Sequence, residues 1–474
     1  MTNYVINSAF VSIEGTNFAN DFSLNTALEV SLYGLAGNDT MSGAGNVTTF
    51  KRASLLGGDG NDLIRFTGGP VTASLGVVNL GDGADTFTAE ISDAPQMSIF
   101  GGNGNDQIVM RATGTLNVES SRIVGGQGTD VLNLEAVTGS NFLFAGGGED
   151  DSITFSGDAG AVFASGTIAG GGGTDIISGE FVNALLSGFY IAGDDPRTLQ
   201  ASYDGNDTLI ISGAGNFAAS TINGQAGRDS IVVDAIGTAN LINGNSDNDT
   251  ISIASSNGLN SGVNSTIAGG AGSDLINLGS FSGVATGLLV QGGGDNDTII
   301  LSAITGNSDV MSIYGGDGAD KFDLSADIVS VASGGLGIFS YSSMSESTAN
   351  ARDFYSGVGT AGLDGLRFYV GGVSGSIAES GTTTSNGNYV ISGVAYFTST
   401  FSTDVSARVA VIDALVTTNG AAVLFSDSVN SQNDFLFVQG GSTDLVVQFA
   451  AASATGLQVV SAAAGGTVFS ARFA

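Results

Sequence analysis

The 474-residue sequence has no cysteine, no histidine and no tryptophan, and only three prolines and twelve basic residues. Each shortage removes a chemistry. Without His or Cys there is no Ser-His-Asp triad, cysteine nucleophile, zinc finger or His-ligated catalytic zinc. The only lysines are Lys51 and Lys321, and no GxxxxGK[ST] phosphate loop occurs. With no cysteine there are no disulfides, which suits an extracellular bacterial protein without establishing export. No Lys or Arg precedes Lys51, so the charged start of a cleavable signal peptide is not expected. No apolar run approaches the roughly 20 residues of a membrane span, so none is expected.

Acid and glycine are plentiful instead. Acids number 45, the formal net charge is −33, and glycine occurs 75 times. Such a surface repels nucleic acid and anionic lipid and draws cations, so neither nucleic acid nor membrane is expected as a partner. Hydrophobic residues make up 42%, enough for a core, so the charge does not imply disorder. Glycine is the costliest residue to order. Yet "GGDGNDLIRF" at Gly57 returns as "GGNGNDQIVM" at Gly101, "GGAGSDLINL" at Gly269 and "GGDGADKFDL" at Gly315.

Aligning the chain on the last acid of this motif gives Asp39, Asp62, Asp85, Asp106, Asp130, Asp151, Asp175, Asp207, Asp229, Asp249, Asp274, Asp297 and Asp320. Two residues after each stands an apolar side chain, from Met41 and Ile64 to Phe322. Seven residues before each stands another, from Leu32 to Ile313, with Gln200 the exception. Polar residues alternate with them, which is the period of a strand with one buried face. Each repeat reads as a strand, a glycine-rich turn ending in Asp, a second strand and a variable return arc. One such unit has nothing to pack its apolar face against, and stacking supplies it. The expected fold is all-β: a parallel β-solenoid of about thirteen coils, then a smaller, mostly β C-terminal domain containing one helix. Residues 1–33 are expected to form an N-terminal cap or degenerate coil, 34–330 the solenoid, and 331–474 a capping and assembly domain. Length variation is expected in the return arc, and the long gap before Asp207 reads as one inserted loop around "AGDDPRTLQ".

Stacked turns place successive aspartates about 5 Å apart, a column of like charge that calls for a counter-ion. A merely solvated turn residue would exchange freely with Asn, Ser or Gly; at none of these thirteen positions does it. Calcium suits the site, since it takes six to eight hard oxygens in flexible geometry, whereas magnesium demands a strict octahedron. The glycines are read as letting peptide oxygens turn toward the ion through positive φ. All thirteen aspartates are therefore candidate metal ligands, with about one calcium per coil along one edge; no catalytic residue is singled out. In "GNSDND" and "GGGDND", which lack the fourth-position glycine, Asp or Asn can take the left-handed conformation, and in "GGGEDD" Glu149 does so less easily.

The motif GGxGxDxU, with U a large apolar residue, resembles the calcium-binding RTX repeat. Six copies are complete at the glycines, at Gly57–Asp62, Gly101–Asp106, Gly125–Asp130, Gly170–Asp175, Gly269–Asp274 and Gly315–Asp320. The period of about 23 residues, with one motif per coil, departs from the nine-residue spacing usual in that family. In style the chain is closest to RTX surface-layer and extracellular structural proteins. The resemblance implies calcium, passage through type I secretion machinery with an uncleaved C-terminal signal, and a place outside the cell or on its surface. "NYVINSAFVSIEGTNFANDFSL" reads as a decayed first coil with Asp21 in the Asp place. The stretch after Ser330 that runs through "RDFYSGVG" resembles the segment closing many RTX arrays. "STDVSARVAVIDALVTTNG" reads as a helix capped by Ser402 to Asp404, with Val405, Val409, Ile412 and Val416 as its apolar stripe and Asn419-Gly420 as its end.

Nearly the whole chain is array and tail, which leaves no passenger domain for chemistry, so an enzyme is not expected. The expected function is a secreted calcium-binding structural protein. It folds outside the cell on binding Ca2+ and assembles with copies of itself into a surface layer or extracellular filament. The alternative is an adhesin or biofilm-matrix protein that binds cell-surface polysaccharide. A polysaccharide-degrading enzyme is a third reading, for which Glu90, Glu119, Glu135, Glu180, Asp194 and Asp195 are acids outside the turns; no spacing selects a pair. "NDT" at Asn38, Asn206, Asn248 and Asn296 matches a glycosylation sequon but overlaps the turn and is read as part of it.

Overall fold

The structure is a computed structural model. It describes residues 2–7, 11–25, 27–44, 49–135, 137–182, 184–194, 205–213, 216–254, 264–279, 281–282, 287–301, 304–305, 311–324, 338–341, 347–348, 353–356, 366–371, 376–378, 387–391, 394–398, 401–426, 435–440, 442–449, 454–463 and 466–473. The fold is an all-β parallel β-solenoid of about 11 turns, with one 11-residue helix among the described residues and a small C-terminal sheet. The count is lower than the thirteen coils expected. All thirteen corners have a strand on either side, while parts of several return arcs, among them 255–263, 306–310 and 325–337, lie outside the described residues. Two compact units are present, Met1–Ala235 with Asn240–Gly244, and Ile236–Ala239 with Asn245–Ala474.

In the first unit, the strands that lead into the glycine turns stack in parallel. Ser54–Asp59, Val77–Asp82 and Ser98–Asn103 lie in register, with Leu55 over Val78 over Ile99. The strands leaving the turns do the same, with Ile64 over Phe87 over Ile108. All six side chains are buried. The alternation in the sequence therefore becomes two columns of apolar side chains facing one interior, each full burial favouring the fold by about 1.5–3 kcal/mol. The second unit repeats the pattern, with Ile267 over Val290 over Ile313 and Ile276 over Ile299 over Phe322.

Return arcs contribute a third column of short strands, Val162–Ala164, Leu185–Ser187 and Asn216–Ala218. Phenylalanines fill the interior here. Phe142 stacks on Phe144 at 4.6 Å between ring centroids, and Phe163 meets Phe181 edge-on at 5.2 Å. Gly179, four residues after Asp175 at a place that most repeats fill with an apolar side chain, is explained by these rings. A Cβ there would lie 2.7 Å from the Phe155 ring and 2.9 Å from that of Phe181, so neighbouring aromatics occupy its share of the core.

Two expectations about register are corrected. The extra residues before Asp207 do not lie in the return arc. Tyr190–Asp194 pairs on both sides in normal register, with Ile191 between Ile168 and Ile222. The insertion thus falls inside the glycine corner, between Asp194 and Gly205, and Ile191 rather than Gln200 holds the apolar place. Residues 195–204 lie outside the described part. At the start of the chain Asp21 pairs with Thr40, one step past the Asp place; its neighbour Asn20 stands there. Phe22 and Leu24 keep the interior positions expected of them, since both are buried and Phe22 lies against Met41.

In the second unit the exit column continues from Phe322 to Tyr355 of Asp353–Ser356, and that strand pairs with Leu445–Phe449. Ala421–Phe425, Phe435–Val438 and Leu445–Phe449 form an antiparallel sheet. The helix Val405–Leu415 packs on it, burying Val409, Ile412 and Val416 against Val423, Phe435, Phe437 and Val446. Asp404 caps the helix by accepting from the Ala407 N–H at 2.9 Å, as expected. The helix ends at Leu415, four residues short of Asn419, because Val416 is already in extended conformation. Much of the closing segment, residues 342–346, 349–352 and 357–365, lies outside the described residues. Among the described residues no helix is long and apolar enough to cross a membrane.

Candidate functional site

Each aspartate of the motif sits at the corner, one residue before the exit strand. All thirteen are described and buried, none more than 3% exposed. Nine lie in the first unit and four in the second. Their side chains turn inward along the stack. In the first unit the Asp39 N–H donates to Asp62 Oδ1 at 2.7 Å and the Asp62 N–H to Asp85 Oδ1 at 2.6 Å. The pattern runs on without a break to the Asp207 N–H on Asp229 Oδ1 at 2.8 Å. In the second unit it links Asp249, Asp274, Asp297 and Asp320 and ends on Asp353 Oδ1 at 3.0 Å. Within each unit these carboxylates tie a turn to the one before it.

A second ladder runs the opposite way, one residue upstream and on the outside. The Ala84 N–H donates to Asn61 Oδ1 at 3.0 Å, the Thr129 N–H to Asn105 Oδ1 at 3.1 Å, and the Thr174 N–H to Asp150 Oδ1 at 2.8 Å. Arg228 on Asn206, Ser273 on Asn248 and Ala319 on Asn296 repeat it. The "ND" pair is therefore a two-way clamp: the Asn accepts from the following turn, the Asp from the preceding one. This gives the sequon-like Asn residues a structural use.

The positive φ expected of the glycines is present at two of the three motif places, and close packing is a second reason at all three. Gly57, five residues before Asp62, shows no left-handed φ. A Cβ on it would lie 2.3 Å from Asp62 Oδ2 and 2.2 Å from the Leu80 carbonyl oxygen. The same holds at Gly101, Gly125, Gly170, Gly269 and Gly315, where the carboxylate fills the space a side chain would take. The next two motif glycines do take positive φ, 114° at Gly58 and 127° at Gly60. A Cβ there would strike the preceding turn's backbone, 2.0 Å from the Leu35 oxygen and 2.5 Å from that of Gly37. Where that last glycine is missing, Glu149, Asp247 and Asp295 take φ of 72°, 72° and 69°. Glu149 thus adopts the left-handed state it fits less easily.

With Oδ1 engaged, the other carboxylate oxygen is the chemical question. Oδ2 of Asp39, Asp62, Asp85, Asp106, Asp130, Asp151, Asp175, Asp207, Asp274 and Asp297 is buried with no hydrogen-bond partner. An unmet buried charge is expensive. Burial accordingly pushes these carboxyls upward, the inter-turn N–H bond pulls back, and neighbouring acids add to the rise. Asp62, Asp106, Asp130 and Asp207 reach about 7, Asp175 and Asp297 about 8, and Asp151 about 9. Each orphan oxygen needs a proton or a cation.

The first level shows what the chain does when it supplies that partner itself. Asn20 stands in the Asp place, and its Nδ2 takes the position equivalent to Oδ2. That nitrogen, with two hydrogens to donate, lies within reach of four acceptors: the Phe18 oxygen at 2.6 Å, Asp39 Oδ1 at 2.9 Å, the Thr16 oxygen at 3.1 Å and the Gly34 oxygen at 3.4 Å. A donor here meets oxygen on all sides. At the other end the Asp353 N–H donates to Ser347 Oγ at 2.8 Å, a hydroxyl that bonds onward to the Val446 oxygen. Asp353, Asn20 and Ser347 were not among the expected site residues. Asp353 lacks a glycine turn before it, and only the buried Tyr355 two residues on marks it.

The oxygens at the corner, an Asp Oδ2 and a carbonyl of the next turn, are hard ligands of the kind calcium takes. The acids form a line, and among the described residues no three acidic side chains cluster to hold a metal. Calcium on the column would take carboxylate and backbone oxygens from successive turns. Comparison with protein-family models, with curated proteins and with solved structures found no match.

Proposed function

We propose that this chain is a calcium-binding structural protein of RTX type, exported by a type I route, which folds outside the cell and assembles with copies of itself into a surface layer or filament. The β-solenoid, built from one repeated unit, is consistent with a structural repeat protein. The observation that carries the calcium reading is the line of buried Oδ2 atoms without a hydrogen-bond partner at Asp39, Asp62, Asp85, Asp106, Asp130, Asp151, Asp175, Asp207, Asp274 and Asp297. At Asp62, Asp106, Asp130 and Asp297, among others, a backbone oxygen of the next turn lies near Oδ2, and among the described residues no basic side chain meets it. Cytosolic calcium is micromolar and extracellular calcium millimolar. A ligand that binds only the folded chain adds RT ln(1 + [L]/Kd), about 1.4 kcal/mol per site at tenfold saturation. Summed along the column, that difference decides in which compartment the chain folds. Dependence on external calcium in turn supports secretion.

Far-ultraviolet circular dichroism in millimolar calcium and in excess chelator, followed by negative-stain microscopy of the same samples, tests the proposal. Calcium is expected to bring on the β spectrum and then ordered sheets or filaments. An unchanged spectrum in chelator removes the folding claim, and single, separate particles at every protein concentration remove the assembly claim.

A further inference from the structure

We infer a second cation site, apart from the aspartate column, in which Asp413 of the helix together with Asp444 and the Gln439 side-chain oxygen of the facing hairpin hold one divalent cation, calcium by ligand type. The three residues come together because the helix packs on the antiparallel sheet. Gln439 follows the strand Phe435–Val438, and Asp444 precedes Leu445–Phe449. Gln439 Nε2 donates to Asp413 Oδ1 at 2.8 Å. That bond fixes the amide, since the opposite orientation would set oxygen against carboxylate. Gln439 is only 5% exposed, and its Oε1 is buried without a hydrogen-bond partner. Asp444 Oδ1 accepts from the Gly440 N–H at 3.0 Å, next to Gln439.

Negative features gather here, and among the described residues neither Asp413 nor Asp444 forms a salt bridge. Burial raises the Asp444 carboxyl, the Gly440 bond opposes this, and the Asp413 charge raises it further, so the two acids act on each other. Asp413 also lies in the last turn of the helix, at the negative end of its dipole, and that turn holds no basic residue. Two carboxylates and an orphan amide oxygen are hard ligands of the kind calcium takes, with water completing the shell. Such an ion would pin the helix to the hairpin that carries the exit column's last partner strand.

Calcium bound per chain, counted by equilibrium dialysis and atomic emission, tests the site in the intact protein and in the Asp413→Asn, Asp444→Asn double variant. Asparagine at 413 keeps the oxygen that accepts from Gln439, so the module is expected to fold. The double variant is expected to bind one ion fewer than the wild type; equal counts overturn the site. Hydrogen exchange of the 435–449 hairpin gives a local reading. In calcium it is expected to run slower in the wild type than in the double variant, while peptides spanning Gly57–Phe66 match; identical hairpin exchange overturns the site as well. This site does not depend on the column. A wild type that binds a single ion, lost in the double variant, would sink the column proposal alone.

Discussion

The Asp62 N–H donates to Asp85 Oδ1 at 2.6 Å, twenty-three residues along the chain, and both groups are buried. The bond makes the acid a stacking device before it is a ligand. It also leaves Oδ2 of Asp62 and of Asp85 without a hydrogen-bond partner. The stability of the solenoid follows from how such oxygens are met.

Asparagine in place of Asp130 separates stacking from charge. It keeps the Oδ1 that accepts from Asp106 and offers an amide donor where Oδ2 stands, as Asn20 does at the first level. In chelator, Asp130→Asn is expected to match or exceed the wild type in thermal midpoint, since an uncompensated buried charge is gone. In millimolar calcium the order should reverse. Asp130→Ala, which strands the Asp106 N–H, is expected to lose about 1–3 kcal/mol in both conditions. Paired melting curves with and without calcium check all three.

Gly57 and Gly294 form a second contrast. Alanine at Gly57 drives a Cβ to 2.3 Å from Asp62 Oδ2, and at Gly294 it meets nothing within 4 Å. Gly57→Ala is expected to destabilise by about 1–3 kcal/mol or more, as overpacking does. Gly294→Ala should stay within about 0.5 kcal/mol of the wild type. Urea titrations at fixed calcium measure the difference.

The metal-free protein should weaken as pH rises. Column acids ionise near the ordinary 3.8 when unfolded but are raised to about 7 at Asp62, about 8 at Asp175 and about 9 at Asp151 when folded. Between those values the folded chain holds more protons than the unfolded one, so stability falls with pH. The benefit is complete near pH 4 and is lost as pH climbs through 7 to 9. In calcium the slope should flatten or reverse, because an ion needs the ionised acid. Thermal midpoints from pH 4.5 to 9, with and without chelator, show which sign holds.

The solenoid was legible because its interior repeats by letter. The acid, the apolar residue two places on and the one seven places before it are fixed by burial, and burial tolerates few substitutes. What stayed hidden is set by chemistry that several letters share. The outer ladder needs only an acceptor, so Asn61, Asp150, Thr174 and Ser273 all serve. Asn20 escaped because an alignment on Asp takes the nearest acid, Asp21, although the neutral residue is the one that can close the column. Counting seven residues back from Asp207 lands on Gln200 because the insertion lies within the corner, a place the count treats as rigid. The motif glycines were assigned a single conformational purpose. Their packing against carboxylate and backbone depends on contacts between turns that a linear pattern does not carry.

At Asn20 the test is electrostatic. Asn20→Asp replaces a nitrogen surrounded by four acceptor oxygens with a fifth oxygen among them. In chelator at pH 8 the change is expected to lower stability by about 1–3 kcal/mol, and more if the acid stays charged. Acidifying to pH 5 should recover most of the loss.

The most direct measurement is an anomalous difference map from crystals grown in calcium. One peak is expected at each column corner, in contact with an Asp Oδ2 and a carbonyl oxygen of the adjoining turn. Corners without peaks in well-ordered turns, with each Oδ2 at hydrogen-bond distance from the next oxygen, would mean that protons hold the column and that calcium does not.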